Sequence, residues 1–474
     1  MKISVITVFP ELHNTFIQTS IIGRAIEKGL VEFNIVKFSD MCAPKERIDE
    51  PTVGPGVGMI IKPEVMQKAI NTCESKWGPG FKIFFSPQGV KLDQRELAKI
   101  AKTLFSEGGS SCFASFDAMA TPSTQDERGR DYAHPECEPL ASVSKGVPHL
   151  ILLCPRYEGI DARVEEQYAD LVISIGDYVI MGGDLPAQIF LEGLLRLVPG
   201  IVGKQESVDS DSFQSPFLDH PCYGLPVSWE GKDIPDVLRS GNHAEINRWR
   251  KEAAAKNTIA NRFDWFASSQ PSSEDIELAN KFIPPHYVAL MHTDVNLKEG
   301  RVGNTSIASL DIHDTARACA TYGVKNFFIV CPLVDQQKIV ETFLAFWLSE
   351  HGTKYNKNRQ AAISLVKQLL SFDQLIATIE KQEGKKPIIV TTSAKHHDFG
   401  IKIDYASQSK VWHHNRPVLF VFGTGQGLSN AILAKSDYLL VPVQGLPMYN
   451  HLSVRSAVSI ILDRWLGLHP VCSQ

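Results

Sequence analysis

The order of apolar runs along the chain constrains its fold more than any other feature of the sequence. Within residues 1–203, helical patterns alternate with strand-like runs at 3–8, 33–38, 82–85, 150–153 and 171–175. From about Tyr287 the alternation returns, with strand-like runs at 288–291, 326–330, 387–391, 418–422 and 438–441. Apolar strands separated by helices form mostly parallel sheets with helices on both faces. The predicted fold class is therefore α/β.

The two stretches also share one order of elements. In each, a strand leads to a loop, a second strand leads to a glycine-bearing loop, and a helix follows. We therefore predict two copies of one fold. A chain of 474 residues is too long for one ordinary core. The predicted domains are 1–203 with a polar insert at about 106–148, a linker and small helical domain at 204–282, and a second α/β domain at 283–474. Asn242 is the predicted N-cap of a basic helix, because Glu245 follows three positions later.

Composition narrows the class of protein. The hydrophobic content of 43% and the charged content of 21% are typical of a soluble globular protein. No apolar run is long enough to cross a bilayer, and the N-terminus lacks the features of a signal peptide. The nine cysteines form no CxxC pair, so we predict neither a zinc site nor a disulfide framework, and we expect a cytoplasmic protein. The net charge of −5 argues against a non-specific nucleic-acid coat, but it allows a local basic patch.

The stretch SIGDYVIMGGDLP, at 174–186, places three glycines between a strand and a helix. It is either a tight turn or a place where the backbone approaches a ligand, because glycine allows such an approach. A dinucleotide site is disfavoured, since the first half has no GxGxxG pattern and the strand after VFGTGQGLS ends without an acidic residue. SPQG, at 86–89, is too short for a phosphate-binding P-loop.

Several separated motifs carry a resemblance to a known family. In chain order they are GPGVGM, SPQG, CPRYEGIDARV, SIGDYVIMGGDLPA, LVPGIVG, DSF and LRSGNHAEINRWR. Over residues 1 to about 265, apart from the insert, the chain closely resembles the bacterial tRNA (guanine-N1)-methyltransferases of the SPOUT class. The resemblance implies a trefoil-knotted α/β domain, S-adenosylmethionine as cofactor, and a homodimer whose active site spans both subunits. It also implies methylation of N1 of guanosine 37, on the 3′ side of the anticodon of tRNA.

The resemblance also assigns site residues. Three loops are expected to wrap the cofactor, with Tyr178 covering it and Glu158 near its methionine end. The cofactor-binding residues so implied are Ser86, Pro87, Gly89, Tyr157, Glu158, Gly159, Ile175, Gly176, Tyr178, Ile180, Gly182, Gly183 and Pro186. The family is Mg²⁺-assisted, and Asp177 is either a turn residue or a candidate ligand for that ion. Pro155, Met181 and Asp184 depart from the family pattern, and Pro155 could change cofactor affinity because proline fixes φ and removes a donor.

Methylation of guanine N1 requires a base that accepts a proton and a cation that stabilises negative charge. Guanine N1 must lose its proton as the methyl group arrives, and O6 gains negative charge. By resemblance, Asp211 is the general base and Arg196 stabilises the developing charge. Other interpretations stay open: Asp209 is a rival for the base, Asp211 could be a solvated linker residue, and Arg196 could be a helix-end cation. Arg248, Arg250 and Lys251 are candidate RNA-binding residues of the basic helix, or part of a solvated helix face.

Residues 286 to about 470 resemble a second SPOUT-class RNA methyltransferase-like family, on the motifs DIHDTARACATYGV, FGTGQGL and YNHLSVRSAVSIILDRWLG. The resemblance implies a second cofactor pocket lined by Gly423, Gly425, Gly427, Val443 and Leu452, with Asn450, Ser453 and Arg455 near a substrate. The alternative is a catalytically silent RNA-binding or dimerisation module. Arg317 could contact substrate or pair with Asp314. No metal ligand set is predicted from the adjacent histidines at 396–397 and 413–414.

Overall fold

The computed structural model describes residues 1–54, 58–105, 148–203, 211–447 and 449–469. The predicted insert at about 106–148 lies outside the described residues, except for its last position, and so do Asp209 and part of the GPGVGM motif. The chain divides into two compact units, Met1–Gln214 and Ser215–Gln474. The predicted division into three parts stays a prediction. Among the described residues, none of the helices combines the length and the hydrophobicity needed to cross a membrane.

The first unit is built on a five-stranded parallel sheet. Its strands are β1 (Lys2–Thr7), β2 (Glu32–Lys37), β3 (Phe81–Lys91), β4 (His149–Leu153) and β5 (Leu171–Ser174), in the order β2-β1-β4-β3-β5. Its helices are α1 (Pro10–Ile17), α2 (Ser20–Glu27), α3 (Pro63–Trp77), α4 (Gln94–Phe105), α5 (Ala162–Tyr168) and α6 (Asp184–Arg196). A short hairpin pairs Asp49–Pro51 with Met59–Ile61.

The apolar runs become the core of this unit. All five residues of β4 are buried, as are the five residues of β1 after Lys2. One hydrophobic cluster packs β1, β3 and β4 against α4 and α6, and another packs the opposite side of the sheet against α3. The five predicted strands are confirmed, and β3 extends past its predicted end to Lys91. Helix α1 was not predicted.

The second unit contains a seven-stranded parallel sheet. Its strands are β6 (His286–Met291), β7 (Asn326–Val330), β8 (Val366–Leu369), β9 (Ile388–Thr391), β10 (Lys402–Ile403), β11 (Val418–Gly423) and β12 (Tyr438–Leu440), in the order β8-β7-β6-β11-β9-β12-β10. The inner five strands therefore follow the order of the first sheet. This order confirms the prediction that the two stretches share one arrangement of strands, and β8 and β10 are unpredicted additions at the edges.

Helices of the second unit precede and flank its sheet. They are α7 (His243–Asn261), α8 (Phe263–Ser268), α9 (Ser273–Asn280), α10 (Ser309–Thr321), α11 (Val334–Trp347), α12 (Glu350–Tyr355), α13 (Lys357–Ile363), α14 (Phe372–Glu383), α15 (Gln408–Trp412), α16 (Asn430–Leu433) and α17 (Val454–Leu466). The Asn242 side chain accepts a hydrogen bond from the Glu245 amide, at 3.3 Å, so the predicted N-cap of α7 is confirmed. Helices α7 and α8 share a hydrophobic core with the sheet, and the Phe263 ring lies edge-on to Trp412.

Candidate active site

Three loops meet at one edge of the first sheet. Strands β4, β3 and β5 are parallel neighbours, so their carboxyl ends lie at the same edge. The pairing of β3 with β5 shifts between Phe85 and Val90, because both residues pair with Ile173. Residues 86–89, which include Ser86 and Pro87, therefore bulge out of the ladder. A side chain on Gly89 would lie 2.6 Å from the backbone nitrogen of Ile173, so glycine is required there for packing.

The loop after β4 turns sharply at residues 156–159. Tyr157 has φ +60° and Gly159 has φ +110°, and the Gly159 amide donates to the Arg156 carbonyl at 3.1 Å. The amide of Glu158 donates to the Met59 carbonyl at 3.0 Å, which ties this loop to the short hairpin. The predicted cofactor residues Tyr157, Glu158 and Gly159 are thus held in one tight turn beside β3.

The loop after β5 lies against the loop after β4. Two glycines of the loop after β5 make this close contact possible. A Cβ atom on Gly182 would lie 2.4 Å from Arg156 Cδ, and one on Gly183 would lie 2.4 Å from Pro155 Cδ. The Gly183 amide also donates to the Pro155 carbonyl at 2.8 Å. The proline at 155 therefore serves this contact through its carbonyl oxygen. The glycine-rich stretch is more than a tight turn, because two of its glycines allow two loops to pass in contact.

The remaining predicted residues of this loop surround that contact. Gly176 has φ +148°, and a Cβ atom there would lie 2.7 Å from the Tyr178 ring. The Tyr178 ring is 56% exposed, Ile175 and Ile180 are half-buried, and Pro186 is buried in the first turn of α6. Together the three loops present both tyrosine rings, of Tyr157 and Tyr178, at the surface of one sheet edge.

Asp184 forms a buried polar network that the sequence analysis did not identify as a site. Its carboxylate accepts hydrogen bonds from Thr7 Oγ1 at 2.5 Å and Arg156 Nε at 2.9 Å, and it lies 3.0 Å from His13 Nε2. Burial would raise the pKa of the Asp184 carboxyl, but the contacts with His13, Thr7 and Arg156 bring that pKa below its ordinary value. The first turn of α6 also favours a carboxylate. The network fixes the start of α6 to β1, α1 and the loop after β4.

Cys154 lies beside this network, with its sulfur 4.0 Å from His13 Nε2. Burial raises the pKa of the Cys154 thiol, and the Asp184 charge raises it further. His13, Cys154 and Asp184 are close enough together to hold a metal ion. The Arg156 guanidinium already balances the Asp184 charge, whereas His13 Nδ1 has no hydrogen-bond partner among the described residues.

Asp177 is the carboxylate that the resemblance offers for Mg²⁺. Its side chain is 87% exposed and lies 3.2 Å from Lys91 Nζ. Mg²⁺ requires octahedral oxygen ligands, and a lone carboxylate beside an ammonium group is a poor start for such a site. The described residues around Asp177 therefore do not fit a bound Mg²⁺ ion.

The predicted base and the predicted cation are in contact. Arg196 Nε donates to Asp211 Oδ2 at 2.8 Å, and a second guanidinium nitrogen donates to the same oxygen. Both side chains are partly exposed. The structure therefore brings together two residues that lie on either side of the segment 204–210, which is outside the described residues.

This pair lies far from the three loops within one chain. Arg196 is the last residue of α6 and Asp184 is the first. A rise of 1.5 Å per residue puts their Cα atoms about 18 Å apart along the helix. The structure thus places the residues predicted to bind the cofactor at one end of α6, and the predicted base and cation at the other.

Glycines of the second unit also lie in a loop at a strand end. The backbone of residues 424–427 is hydrogen-bonded to Asn296 and Met291. A Cβ atom on Gly423 would lie 2.5 Å from the Leu428 nitrogen, and one on Gly425 would lie 2.8 Å from the Asn296 carbonyl oxygen. Gly427 has φ +99°. These glycines are therefore needed for packing and turn geometry, whether or not a ligand binds.

The other predicted residues of the second unit cluster around the start of α17. Val443 is half-buried and Leu452 is exposed, and Asn450 Nδ2 donates to the Ala394 carbonyl at 2.9 Å. Arg455 contacts Asp311 at 3.0 Å and Asp314 at 3.4 Å. Asp314 is thus an ion-pair partner of Arg455 across two helices. Ser453 is the N-cap of α17.

The candidate RNA-binding residues of α7 fall on different faces. Arg248 and Arg250 are exposed. Lys251 lies 3.3 Å from Asp275 of α9, so part of its charge is already balanced. The sequence pattern did not predict this ion pair, because Asp275 is on another helix.

Two known protein families match this chain, one over its first half and the other over its second half. The family described as tRNA (Guanine-1)-methyltransferase TrmD matches residues 1–105 and 126–268. The family described as SAM-dependent RNA methyltransferase matches residues 285–467.

Similar proteins extend over the whole chain. A protein of Nitratidesulfovibrio vulgaris named tRNA (guanine-N(1)-)-methyltransferase is 33% identical over 98% of this chain and 99% of its own length. A protein of Oleidesulfovibrio alaskensis with the same name is 32% identical over the same shares. One from Thermotoga maritima is 33% identical and covers 58% of this chain with 94% of its own length. The chain therefore belongs to the tRNA (guanine-1)-methyltransferase family and carries a second domain of the SAM-dependent RNA methyltransferase family.

Proposed function

We propose that this protein methylates N1 of guanosine 37 in tRNA, using S-adenosylmethionine. The contact between Arg196 and Asp211 carries the proposal, because the reaction needs a base and a cation beside one another. In the proposed mechanism Asp211 accepts the N1 proton, and the guanidinium of Arg196 stabilises the negative charge that develops on O6. Action on tRNA accords with a cytoplasmic location.

The three loops of the first sheet fit the cofactor. Their glycines bring backbone groups to the carboxyl edge of the sheet, and Tyr157 and Tyr178 present exposed rings there. We propose that residues 86–89, 157–159 and 175–186 hold S-adenosylmethionine, which supplies the methyl group from its sulfonium. The passage of the loop after β5 against the loop after β4 supports the trefoil knot that the resemblance implies.

A homodimer would complete this site. Leu185, Ile189 and Arg196 recur at helical spacing on one exposed face of α6, and Val179 and Met181 extend that face into the loop. If a second copy packs on this face with its α6 antiparallel, the partner's Arg196 comes to the loop end of the first helix. The separation of about 18 Å within one chain is then bridged by the symmetry of a two-fold dimer. We therefore propose that each active site combines the loops of one subunit with the base and cation of its partner.

The second unit is proposed to be an RNA methyltransferase domain with its own cofactor pocket at Gly427, Val443 and Leu452. The match of residues 285–467 to a SAM-dependent RNA methyltransferase family supports this proposal. The alternative is a silent RNA-binding or dimerisation module.

Position-resolved mass spectrometry of tRNA tests the site of methylation. An unmodified tRNA transcript and a matched transcript carrying adenosine at position 37 are incubated with the protein and S-adenosylmethionine. The proposal predicts 1-methylguanosine in the fragment that contains position 37 of the first transcript, and none in the second. The same amount of 1-methylguanosine in both transcripts would exclude position 37 as the target.

A further inference from the structure

A groove with aromatic walls crosses the surface of the second unit. It has a volume of about 470 Å³, which is within the range of small-molecule sites. Tyr223 of the extended segment before α7 and Trp249 of α7 both line it, and their rings contact each other, with centroids 6.2 Å apart and planes inclined by 57°. Phe282 also lines it. The Tyr223 side chain is 49% exposed, so its ring is available for contact.

The floor of the groove is one face of α7. Trp249, Ala253, Lys256 and Ala260 recur at helical spacing and all line it. The two alanines leave open the space that longer side chains would fill. On this helix Arg248 and Arg250 border the groove face on its two sides, and both are exposed. Lys251 points away from the groove, toward Asp275.

The polar edge of the groove can both donate and accept hydrogen bonds. Glu252 and Lys256 line it and are exposed. Asn257 also lines it, and its Oδ1 accepts a hydrogen bond from Asn261 at 2.8 Å, so the amide nitrogen is the group that Asn257 offers. A carboxylate in this position repels a phosphate but accepts N–H donors of a nucleobase. The charges therefore favour a base inside the groove and phosphates outside it, beside Arg248 and Arg250.

We propose that this groove binds one unpaired nucleotide of an RNA substrate, with its base against Tyr223 and Trp249. Base stacking on aromatic side chains is favourable for every base, and flanking arginines bind the phosphates. The proposal rests on the proposed function only for the identity of the RNA, which is tRNA. The groove lies wholly within the second unit and involves none of the residues assigned to methyl transfer.

Binding and kinetics of the intact protein test the groove. The variants are Tyr223→Ala and Trp249→Leu, with Tyr223→Phe keeping the ring and Trp229→Ala removing an exposed tryptophan outside the groove. The measurements are tRNA affinity by fluorescence anisotropy, kcat and KM for 1-methylguanosine formation, and affinity for S-adenosylmethionine. We expect the first two variants to raise the tRNA Kd and KM by about 5- to 100-fold, the range for losing one base stack. We expect kcat, cofactor affinity and both control variants to be unchanged.

The proposal would be overturned by a tRNA affinity equal to wild type in both Tyr223→Ala and Trp249→Leu. Because Tyr223 is half-exposed, Tyr223→Ala tests the groove even if Trp249→Leu fails to fold. If the wild-type protein makes no 1-methylguanosine, the proposed function fails, yet the affinity comparison still decides the groove.

The salt dependence of binding tests the flanking arginines. Replacing both Arg248 and Arg250 by Ala is expected to lower the slope of log Kd against log salt by about 1.4 to 1.8, the value for two lost phosphate contacts. Lys381→Ala is the control, since that lysine is exposed on α14 and does not line the groove, and the slope of this variant should remain that of wild type. An unchanged slope in the double variant would contradict phosphate binding at the groove.

Discussion

The buried hydrogen bonds around His286 depend on the protonation state of its ring. Its Nδ1 lies 2.7 Å from the Pro284 carbonyl oxygen, and its Nε2 accepts hydrogen bonds from the indole nitrogens of Trp412 and Trp465, at 3.3 and 3.1 Å. Burial lowers the pKa of His286 to about 4, and the hydrogen bond to Pro284 only partly opposes this effect. Protonation would remove the acceptor of both indoles, so the neutral ring is the one that the fold requires.

We expect the second unit to lose stability as the pH falls from about 6.5 toward 4. The pKa of His286 is lower in the folded than in the unfolded chain, so the unfolded chain takes up the proton first. The stability contributed by the neutral His286 ring is fully present above pH 6.5. It is lost as the pH falls from there through the folded pKa of about 4. A shift of this size corresponds to at most about 3 kcal/mol in the free energy of unfolding.

Urea unfolding from pH 4 to 7 measures this effect. His286→Gln should be less stable than wild type at pH 7 and should depend less on pH over this range. His396→Gln, which replaces an exposed histidine, is the control and should follow the wild-type curve. Parallel curves for wild type and His286→Gln would show that another group sets the acid dependence.

At the scale of elements, the glycines of the loop after β5 determine whether two loops can touch. Gly183 has φ −78°, a conformation that alanine adopts without strain. An added methyl group would nevertheless lie 2.4 Å from Pro155 Cδ and 2.8 Å from the Cys154 Cα atom. The proline ring and the backbone cannot move aside cheaply. Packing, and not backbone freedom, is therefore the reason for glycine at this position.

Gly183→Ala is expected to destabilise the first unit by about 1–3 kcal/mol, the usual cost of overpacking. We also expect weaker binding of S-adenosylmethionine, because the two loops separate. Gly203→Ala is the matched control, since among the described residues no atom beyond its chain neighbours lies within 4 Å of the added methyl group. Chemical unfolding and calorimetric titration of each variant measure both effects. Equal stability of the two variants would show that the loops do not need this contact.

Apolar runs predicted the sheet strands well because burial on both faces leaves a strong pattern in the sequence. Strands β8 (Val366–Leu369) and β10 (Lys402–Ile403) were missed because they are short edge strands with polar residues. The contacts of Asp184 with Thr7 and Arg156 were also missed, since they join positions far apart in the chain. The family motifs were enough to predict Arg196 as the cation and Asp211 as the base. Their contact and their distance from the loops required the tertiary structure.

At the scale of the whole molecule, the proposed sharing of an active site between two subunits can be tested by complementation. One variant carries Tyr178→Ala and Glu158→Ala in the cofactor loops, and the other carries Asp211→Asn. If each site uses the loops of one subunit and the base of its partner, the mixed dimer contains one intact site. An equal mixture, unfolded and refolded together, should then recover about a quarter of wild-type activity. If all groups come from one chain, the mixture should be no more active than its components.

The number of cofactors bound per chain tests the second unit. Calorimetric titration of the intact protein with S-adenosylmethionine is expected to show two sites per chain. Leu452→Asp, which changes an exposed residue of the proposed second pocket, should reduce this number to one. A single site in the wild-type protein would favour the alternative of a silent module in the second half.

Nucleoside mass spectrometry of unmodified tRNA tests the central claim most directly. The tRNA is incubated with S-adenosylmethionine and with wild type, Asp211→Asn or Asp236→Asn, the last of which changes an aspartate in another exposed pair with an arginine. The account predicts 1-methylguanosine with wild type and Asp236→Asn, and a rate at least about 100-fold lower with Asp211→Asn, as expected for loss of a general base. Cofactor binding should be equal in all three. Formation of 1-methylguanosine by Asp211→Asn at the wild-type rate would contradict the account.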